Sequence, residues 1–269
     1  QEERFVMNII QITDLHLCKD GGPAFLHADS SRALRQTVDY FLQTPIRADA
    51  VVVSGDISSD GSLSAYQAAK RELGRLPWPV YYIPGNHDDR RAMQQAALIP
   101  ADPQQAVCHR VDLQDVSLIL LDTVLDGQSR GGVSDDTLAL LSDCLPQDPT
   151  TPVLLFMHHV PFVTGYTAMD EPFEQAEKLT ALLSGHPCIR VCCGHIHASM
   201  ATQIRQISMI TCSPVSMAME FDLTAQGGDA FYTSEPQFAL HCVDGGQIIT
   251  HFATIPTREA RLGPYTFSV

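Results

Sequence analysis

The chain has 269 residues, 45% of them apolar and 18% charged, with a formal charge of −14 at pH 7. That length and mixture suit a single globular α/β domain with a sizeable core and exclude a disordered chain. The acidic balance leaves no basic stripe for a nucleic-acid polymer, and no apolar run is long enough to cross a bilayer, so neither partner is expected.

The first six residues, Gln-Glu-Glu-Arg-Phe-Val, are too short and too acidic for a secretory signal, and Met7, heading an apolar strand pattern, is the expected native start. Eight cysteines without a secretion signal or a paired C-x-x-C spacing are expected to be reduced thiols, which fits a cytoplasmic location. Cys188, Cys192 and Cys193 lie in or beside an apolar run and read as core residues.

Residues 6–12 read as a strand, and a Gly-Gly-Pro loop then leads to a helix over 30–42. A short buried strand comes next at 50–53, then a helix at 63–73 and a strand at 80–83. Apolar runs at 116–121 and 153–157 have strand length, with a helix between them capped by Ser134 and carried by 137–141. A strand at 189–193 closes this series. Alternation of this kind implies βαβ units and a buried, partly parallel sheet.

From Ala198 the pattern changes to shorter strands, at 200–204, 206–211, 238–243 and 248–252. The last two flank Asp244-Gly245-Gly246, a hairpin signal. Residues 213–235 show no clear period and are expected to form an irregular lid or oligomer contact inserted in a single domain spanning 1–269. Met217 and Met219 within it read as packing or interface residues rather than substrate contacts.

The residues at the strand ends carry the function. Asp14-Leu15-His16 ends the first strand, Gly55-Asp56 the second and Gly85-Asn86-His87-Asp88 the third. His158-His159 and Gly194-His195-Ile196-His197 end two later ones. In an open α/β sheet ligands bind outside the carboxyl ends of the strands, so five strand ends deliver imidazole, carboxylate and amide groups to one edge. Those groups hold hydrolytic divalent metals while leaving positions for water and substrate. Two metals roughly 3.5–4 Å apart need a shared ligand, and a carboxylate such as Asp56 has an oxygen for each. The D-x-H and H-x-H pairs are expected to use strand alternation to aim both side chains the same way. Taken singly, each motif has a bland reading as a strand end, a turn or a hydrogen-bonded His pair. The five in this order do not.

The set of motifs resembles the calcineurin-like metallophosphoesterases, over nearly the whole chain from Ile9 to about Phe252. The resemblance implies a four-layer α/β/β/α sandwich, two sheets face to face with helices outside, with a small lid insertion near the C-terminus. It implies a binuclear site in which Asp14, His16, Asp56 and His197 hold the first metal. Asp56, Asn86, His158 and His195 hold the second. The pair is two divalent ions, or iron with a divalent ion, drawn from Mn, Fe, Zn or Co. Asp56 and Asn86 thus belong to the catalytic set with His87, which faces the substrate without ligating.

Three details narrow the class. The protein phosphatases of this family carry an arginine in a GDxxDRG pattern, whereas here Gly55-Asp56 is followed by Ile57-Ser58-Ser59-Asp60-Gly61. Purple acid phosphatases place a tyrosine where Ser59 stands. His158-His159-Val160-Pro161 and the tail from Ser213 resemble the bacterial class III cyclic-nucleotide phosphodiesterases and the related binuclear glycerophosphodiesterases, and 49–56 and 81–89 resemble the latter most. Val160 departs from a proline common in those relatives; Pro161 keeps register with their second proline and selects His158 as the ligand.

The expected reaction is hydrolysis of a small phosphodiester, a 3′,5′-cyclic nucleotide such as cAMP or a glycerophosphodiester. The metals lower the pKa of the attacking water and neutralise charge on phosphorus, and His87 assists the leaving alkoxide. A homo-oligomer is compatible with the sequence. Arg90 and Arg91 read as a solvated helix start; as a substitute phosphate clamp they would favour a monoesterase or nucleotidase instead. A metal-free scaffold of the same fold would show substituted ligands, and none is substituted.

Overall fold

The computed structural model describes residues 6–257 and 262–266, so the expectation of a non-native 1–6 falls almost entirely outside the described residues. The first half runs β1 (Met7–Ile12), α1 (Ser30–Gln43), β2 (Ala50–Ser54), α2 (Leu63–Leu73), β3 (Val80–Ile83), α3 (Arg90–Gln95) and α4 (Pro103–Val107). Then come β4 (Cys108–Asp112), β5 (Ser117–Leu121), α5 (Asp135–Cys144), β6 (Val153–Phe156), α6 (Ala176–Leu183) and β7 (Ile189–Cys193). The remaining strands are β8 (Met200–Ile204), β9 (Ile207–Thr211), β10 (Met217–Met219), β11 (Ala230–Thr233), β12 (Gln237–Asp244), β13 (Gln247–Thr254) and β14 (Leu262–Thr266).

These strands build a five-stranded sheet in the order β13-β12-β1-β2-β3 and a six-stranded sheet in the order β4-β5-β6-β7-β9-β8. The centre of each is parallel, as the βαβ reading requires: β1, β2 and β3 in one, β5, β6, β7 and β9 in the other. Pleat alternation sorts the side chains into layers. Ile9, Ala50 and Val52 pack with Leu118, Leu154, Phe156 and Cys192 between the two sheets. The alternate residues Ile10, Val51 and Val53 pack under α1 and α2 with Leu34, Phe41 and Tyr66. On the far side Ile119, Leu155 and Val191 pack under α5 and α6 through Leu141, Leu179 and Leu183. The result is the four-layer α/β/β/α sandwich.

Strands β2, β5 and β6 are buried along their whole length, because both of their faces are covered. The edge strand β13 alternates between exposed and half-buried residues for most of its length, which is why its hairpin is legible from period and turn chemistry alone. The sequence shows only the start of α3, at Arg90, and the short helix α4 and the strand β4 have no counterpart in it. At five or six residues they are too short to show a period.

Residues 213–235 are more ordered than their composition suggested. They contain β10 and β11, which pair antiparallel, and β11 pairs in turn with β14 in a third, three-stranded sheet. Met217 and Met219 are buried, and Met217 packs with Ala24, Ala28 and Phe231. No helix among the described residues is long and apolar enough to cross a membrane.

Candidate metal centre

The carboxyl ends of β1, β2 and β3 in one sheet and of β6 and β7 in the other meet at one end of the sandwich. They bring Asp14, His16, Asp56, Asn86, His158, His195 and His197 together there. All but Asn86 are buried, and Asp14 and His158 have no exposed surface at all. Five of these residues sit in the left-handed region, with φ of 52° at Asp14, 47° at His16, 49° at Asp56, 70° at His195 and 55° at His197. Each costs about 1–2 kcal/mol for a residue with a Cβ. The D-x-H and H-x-H pairs therefore converge through tight left-handed turns, and the strand alternation expected from the sequence does not aim them.

Two glycines make room for these turns. Gly55 has a φ of 101°, and a Cβ there would lie 2.2 Å from His158 Nδ1. A Cβ on Gly85 would lie 2.2 Å from Asp56 Oδ1. Backbone bonds then lock the loops together: the His16 amide donates to Asp56 O at 2.9 Å and the Asp14 amide to Gly55 O at 3.1 Å.

Asp56 Oδ2 lies 3.3 Å from His158 Nε2 and 3.7 Å from His16 Nε2. Asp14 Oδ1 lies 3.3 Å from His197 Nε2, which is itself 3.1 Å from His16 Nε2. The outer ring nitrogens are engaged elsewhere. His158 Nδ1 is 2.9 Å from the Ser54 carbonyl and His197 Nδ1 is 2.6 Å from the Met217 carbonyl. A carbonyl only accepts, so each Nδ1 carries a proton and each Nε2 points at a carboxylate. Contacts this close call for a positive charge between the two groups, a proton or a metal ion.

The charge states say the same. Burial and then its neighbours act on every group here. Burial depresses His158, but the Asp56 and Asp14 carboxylates outweigh it and raise the group to about 9. Burial likewise opposes a rise at His197, which Asp14 reverses. His16 and His195 stay depressed, each to about 3, with burial the main cause. Asp14 Oδ1, Asn86 Oδ1 and His158 Nε2 are buried without any hydrogen-bond partner. Orphaned buried acceptors converging beside carboxylates fit a metal site, and the donor set of imidazole, carboxylate and amide oxygen suits a first-row divalent ion.

Three overlapping groups, Asp14–His16–His197, His16–Asp56–His87 and Asp14–Asp56–His158, each bring their ligand atoms within 4.8 Å of one another. Asp56 belongs to two of them. A fourth group is His158, His159 and His195. His159 Nδ1 is 2.9 Å from Thr123 Oγ1, and its Nε2 is a further buried orphan. Both members of the His pair thus reach the cluster, but only His158 faces Asp56.

Above the cluster lies a cavity of about 340 Å³, floored by His16, Asp56, Asn86, His87, His195 and His197. His87 is half-buried; its amide donates to Asp56 Oδ1 at 3.0 Å and its ring meets that of His16 edge-on at 5.2 Å.

Several groups that shape the site escaped the sequence reading. Asp88 accepts from the amides of Gly85, Ile57 and Ser58 and from Tyr66 Oη, tying the Asp56 loop to the Asn86 loop. Burial, then the charge on Asp56, lifts its carboxyl to about 7. It stands inside one of the strand-end motifs but has no visible partner in the sequence. The Ser54 and Met217 carbonyls carry no sequence signal, since any residue supplies one. Arg90 is a correction to the reading of a solvated helix start. Its Nε and Nη2 grip the buried Asp122 carboxylate at 2.5 and 3.1 Å and Nη2 reaches Val124 O at 2.7 Å, with Asp126 also paired. Ser59, at the tyrosine position of the purple acid phosphatases, lies 3.3 Å from His16 Nδ1.

The calcineurin-like phosphoesterase family model matches residues 7–199, which takes in every one of these ligand candidates. The chain belongs to that family. It is 34% identical over 212 residues to a glycerophosphodiester phosphodiesterase, GpdQ, of Enterobacter lignolyticus, covering 76% of each chain. It is 30% identical over 197 residues to the 3′,5′-cyclic adenosine monophosphate phosphodiesterase CpdA of Pseudomonas aeruginosa, covering 72% of this chain and 71% of that one. Among solved structures, the purple acid phosphatase PPD1 of yellow lupin superposes with a TM-score of 0.64 at 14% identity. The match covers 94% of this chain and 54% of the lupin chain, and it speaks for the fold alone.

Proposed function

We propose that this calcineurin-like phosphoesterase is a binuclear metal-dependent phosphodiesterase acting on small diesters, a 3′,5′-cyclic nucleotide or a glycerophosphodiester. The observation that carries the reading is the place of Asp56, whose Oδ2 stands between His158 Nε2 and His16 Nε2 at 3.3 and 3.7 Å. One carboxylate with donors on both sides supports a shared ligand, with Asp14, His16 and His197 on one side and Asn86, His158 and His195 on the other. Two bound divalent ions supply a lowered pKa for water and charge neutralisation at phosphorus. Mn, Fe, Zn and Co all suit these donors.

The chain's own residues supply the rest. The Ser54 and Met217 carbonyls fix the ring orientation of His158 and His197. Asp88 holds the loop bearing Asn86 and His87 against the loop bearing Asp56. His87, in the cavity floor, hydrogen-bonds the departing ester oxygen or gives it a proton. The names of the relatives support diester substrates of two kinds, a cyclic nucleotide and a glycerophosphodiester. A monoesterase reading uses Arg90 and Arg91 as a phosphate clamp; the Arg90 guanidinium is already held by Asp122 and Asp126, and Arg91 does not line the cavity.

The test is a substrate panel on chain stripped of metal and reloaded with single metals: cyclic AMP, glycerophosphodiesters, and bis- and mono-nitrophenyl phosphate. Diesters should exceed the matching monoesters in kcat/KM. A tenfold or greater preference for mono-nitrophenyl phosphate contradicts the assignment.

A further inference from the structure

The walls of the 340 Å³ cavity are formed by Phe25, Ser129, Ala168, Met169, Glu171 and Asp229. Among the described residues no lysine or arginine lines it, while two carboxylates stand in its wall besides Asp56 in its floor. The arginines next to its wall in sequence are turned to other partners. Arg90 is held by Asp122, and Arg130, beside Ser129, pairs with Glu174 at 3.2 Å and with Gln128 at 2.6 Å. The cavity is marked as a ligand site independently of its acidic wall, because Asp14 Oδ1 and His158 Nε2 are buried beneath it without partners.

The two carboxylates are built in by different loops. Glu171 accepts from Ser129 Oγ, which ties loop 159–175 to loop 122–131. Asp229 closes the turn between β10 and β11, and Thr167 Oγ1 ties that turn to loop 159–175 through Thr224 O at 3.1 Å. Phe25, with a φ of 46°, stands opposite, its ring 5.4 Å from His16 and 5.9 Å from His87.

We propose that Glu171 and Asp229 form a charge filter on the substrate side of the pocket, rejecting dianionic phosphomonoesters and admitting singly charged or zwitterionic diesters. The proposal rests on the phosphodiesterase reading above and deepens it. Repulsion scales with the product of charges, so a dianion is opposed twice as strongly as a monoanion at the same distance. Glu171 is exposed and Asp229 half-buried, so added salt weakens this repulsion and low ionic strength sharpens it. A neutral alkyl group on a diester meets no opposition, and an ammonium group is attracted. Water breaks one P–O ester bond, leaving a hydroxyl on the departing group (on the same molecule for a cyclic diester) and a monoester that sheds a proton and is doubly charged at neutral pH, so the same filter drives the product out.

The experiment uses Glu171→Gln, Asp229→Asn and the double variant, each loaded with Mn²⁺. It measures kcat/KM at pH 8 on three substrates with one leaving group: 4-nitrophenyl phosphate, methyl 4-nitrophenyl phosphate and 2-aminoethyl 4-nitrophenyl phosphate. In the double variant the monoester should gain about five- to tenfold relative to the methyl diester, and the aminoethyl diester should lose relative to it. Asp136→Asn, a surface carboxylate on α5, should leave both ratios at their wild-type values. Unchanged ratios in the double variant overturn the filter, and so does a common shift of all three substrates, which marks a structural role. A fall in bound Mn²⁺ also overturns it, because the carboxylates would then be ligands. Should wild type itself prefer the monoester, it is the phosphodiesterase reading that fails.

Discussion

His87 and Asp88 are neighbours with separate duties. His87 presents its ring to the cavity while its amide is fixed on Asp56, so replacing the side chain leaves the loop in place. His87→Ala is expected to keep metal content near wild type and lower turnover by about 10²–10⁴. The loss should be larger for an alkyl leaving group than for nitrophenolate, which departs with little protonation; equal losses would assign His87 to binding alone. Asp88→Asn removes one of the two oxygens that hold four donors, and is expected to weaken metal affinity by about 10–100-fold, read by competition with a chelating dye. Tyr66→Phe removes a single donor and should cost less. Wild-type affinity in Asp88→Asn would show that the two loops hold without this link.

At the scale of elements, the turn joining β10 to β11 and the strand β10 itself have different roles. Met217 O holds His197, the Met219 amide donates to His197 O at 3.0 Å, and Ser216 Oγ donates to Asp14 O at 2.7 Å. Shortening the turn around 222–228 should alter discrimination among diesters more than turnover of bis-nitrophenyl phosphate. Removing 213–219 as well should abolish that turnover, since it strips two of the proposed ligands, Asp14 and His197, of their supports. Equal effects from the two deletions would contradict this division. The sequence pointed to the end of the sandwich where these side chains cluster, because each proposed ligand comes after an apolar strand and strand ends are legible from period. It did not reveal how the proposed ligands are aimed: Asp14, His16, His195 and His197 take left-handed turns, which Asp and His adopt more readily than most residues with a Cβ but do not require. Nor did it show β10 and β11, which are three and four residues long and too short to carry a period of their own.

Across the whole molecule the two sheets are joined by a buried polar chain as well as by apolar packing. Arg190 donates to Thr250 Oγ1 at 2.7 Å, and Thr250 Oγ1 meets His241 Nδ1 at 2.8 Å. His241 Nε2 meets Gln11 Oε1 at 3.1 Å, and Gln11 Nε2 donates to Ser54 Oγ and Cys193 O. Gln11 Oε1 only accepts, so the His241 proton sits on Nε2, and the Thr250 hydroxyl can donate to a neutral Nδ1 while it accepts from Arg190. Burial, then the Arg190 charge, depresses the group to about 3, against an ordinary 6.5. The unfolded chain therefore takes up a proton that the folded chain refuses. Stability from this residue is fully present above about pH 6.5 and falls as the pH drops toward 3, by up to about 1.4 kcal/mol per pH unit. His241→Gln should flatten the fall of Tm between pH 7 and pH 5 relative to wild type. An unchanged slope would mean that the buried ring is already protonated at neutral pH.

Two metals sharing Asp56 is the claim on which the rest depends, and counting ions tests it most directly. Chain loaded with Mn²⁺ and freed of excess ion should carry two ions by elemental analysis, and Asp56→Ala should carry none, because the shared ligand serves both. His197→Ala and Asn86→Ala should each retain one. A single tightly bound ion in wild type, or two retained in Asp56→Ala, would contradict the binuclear site.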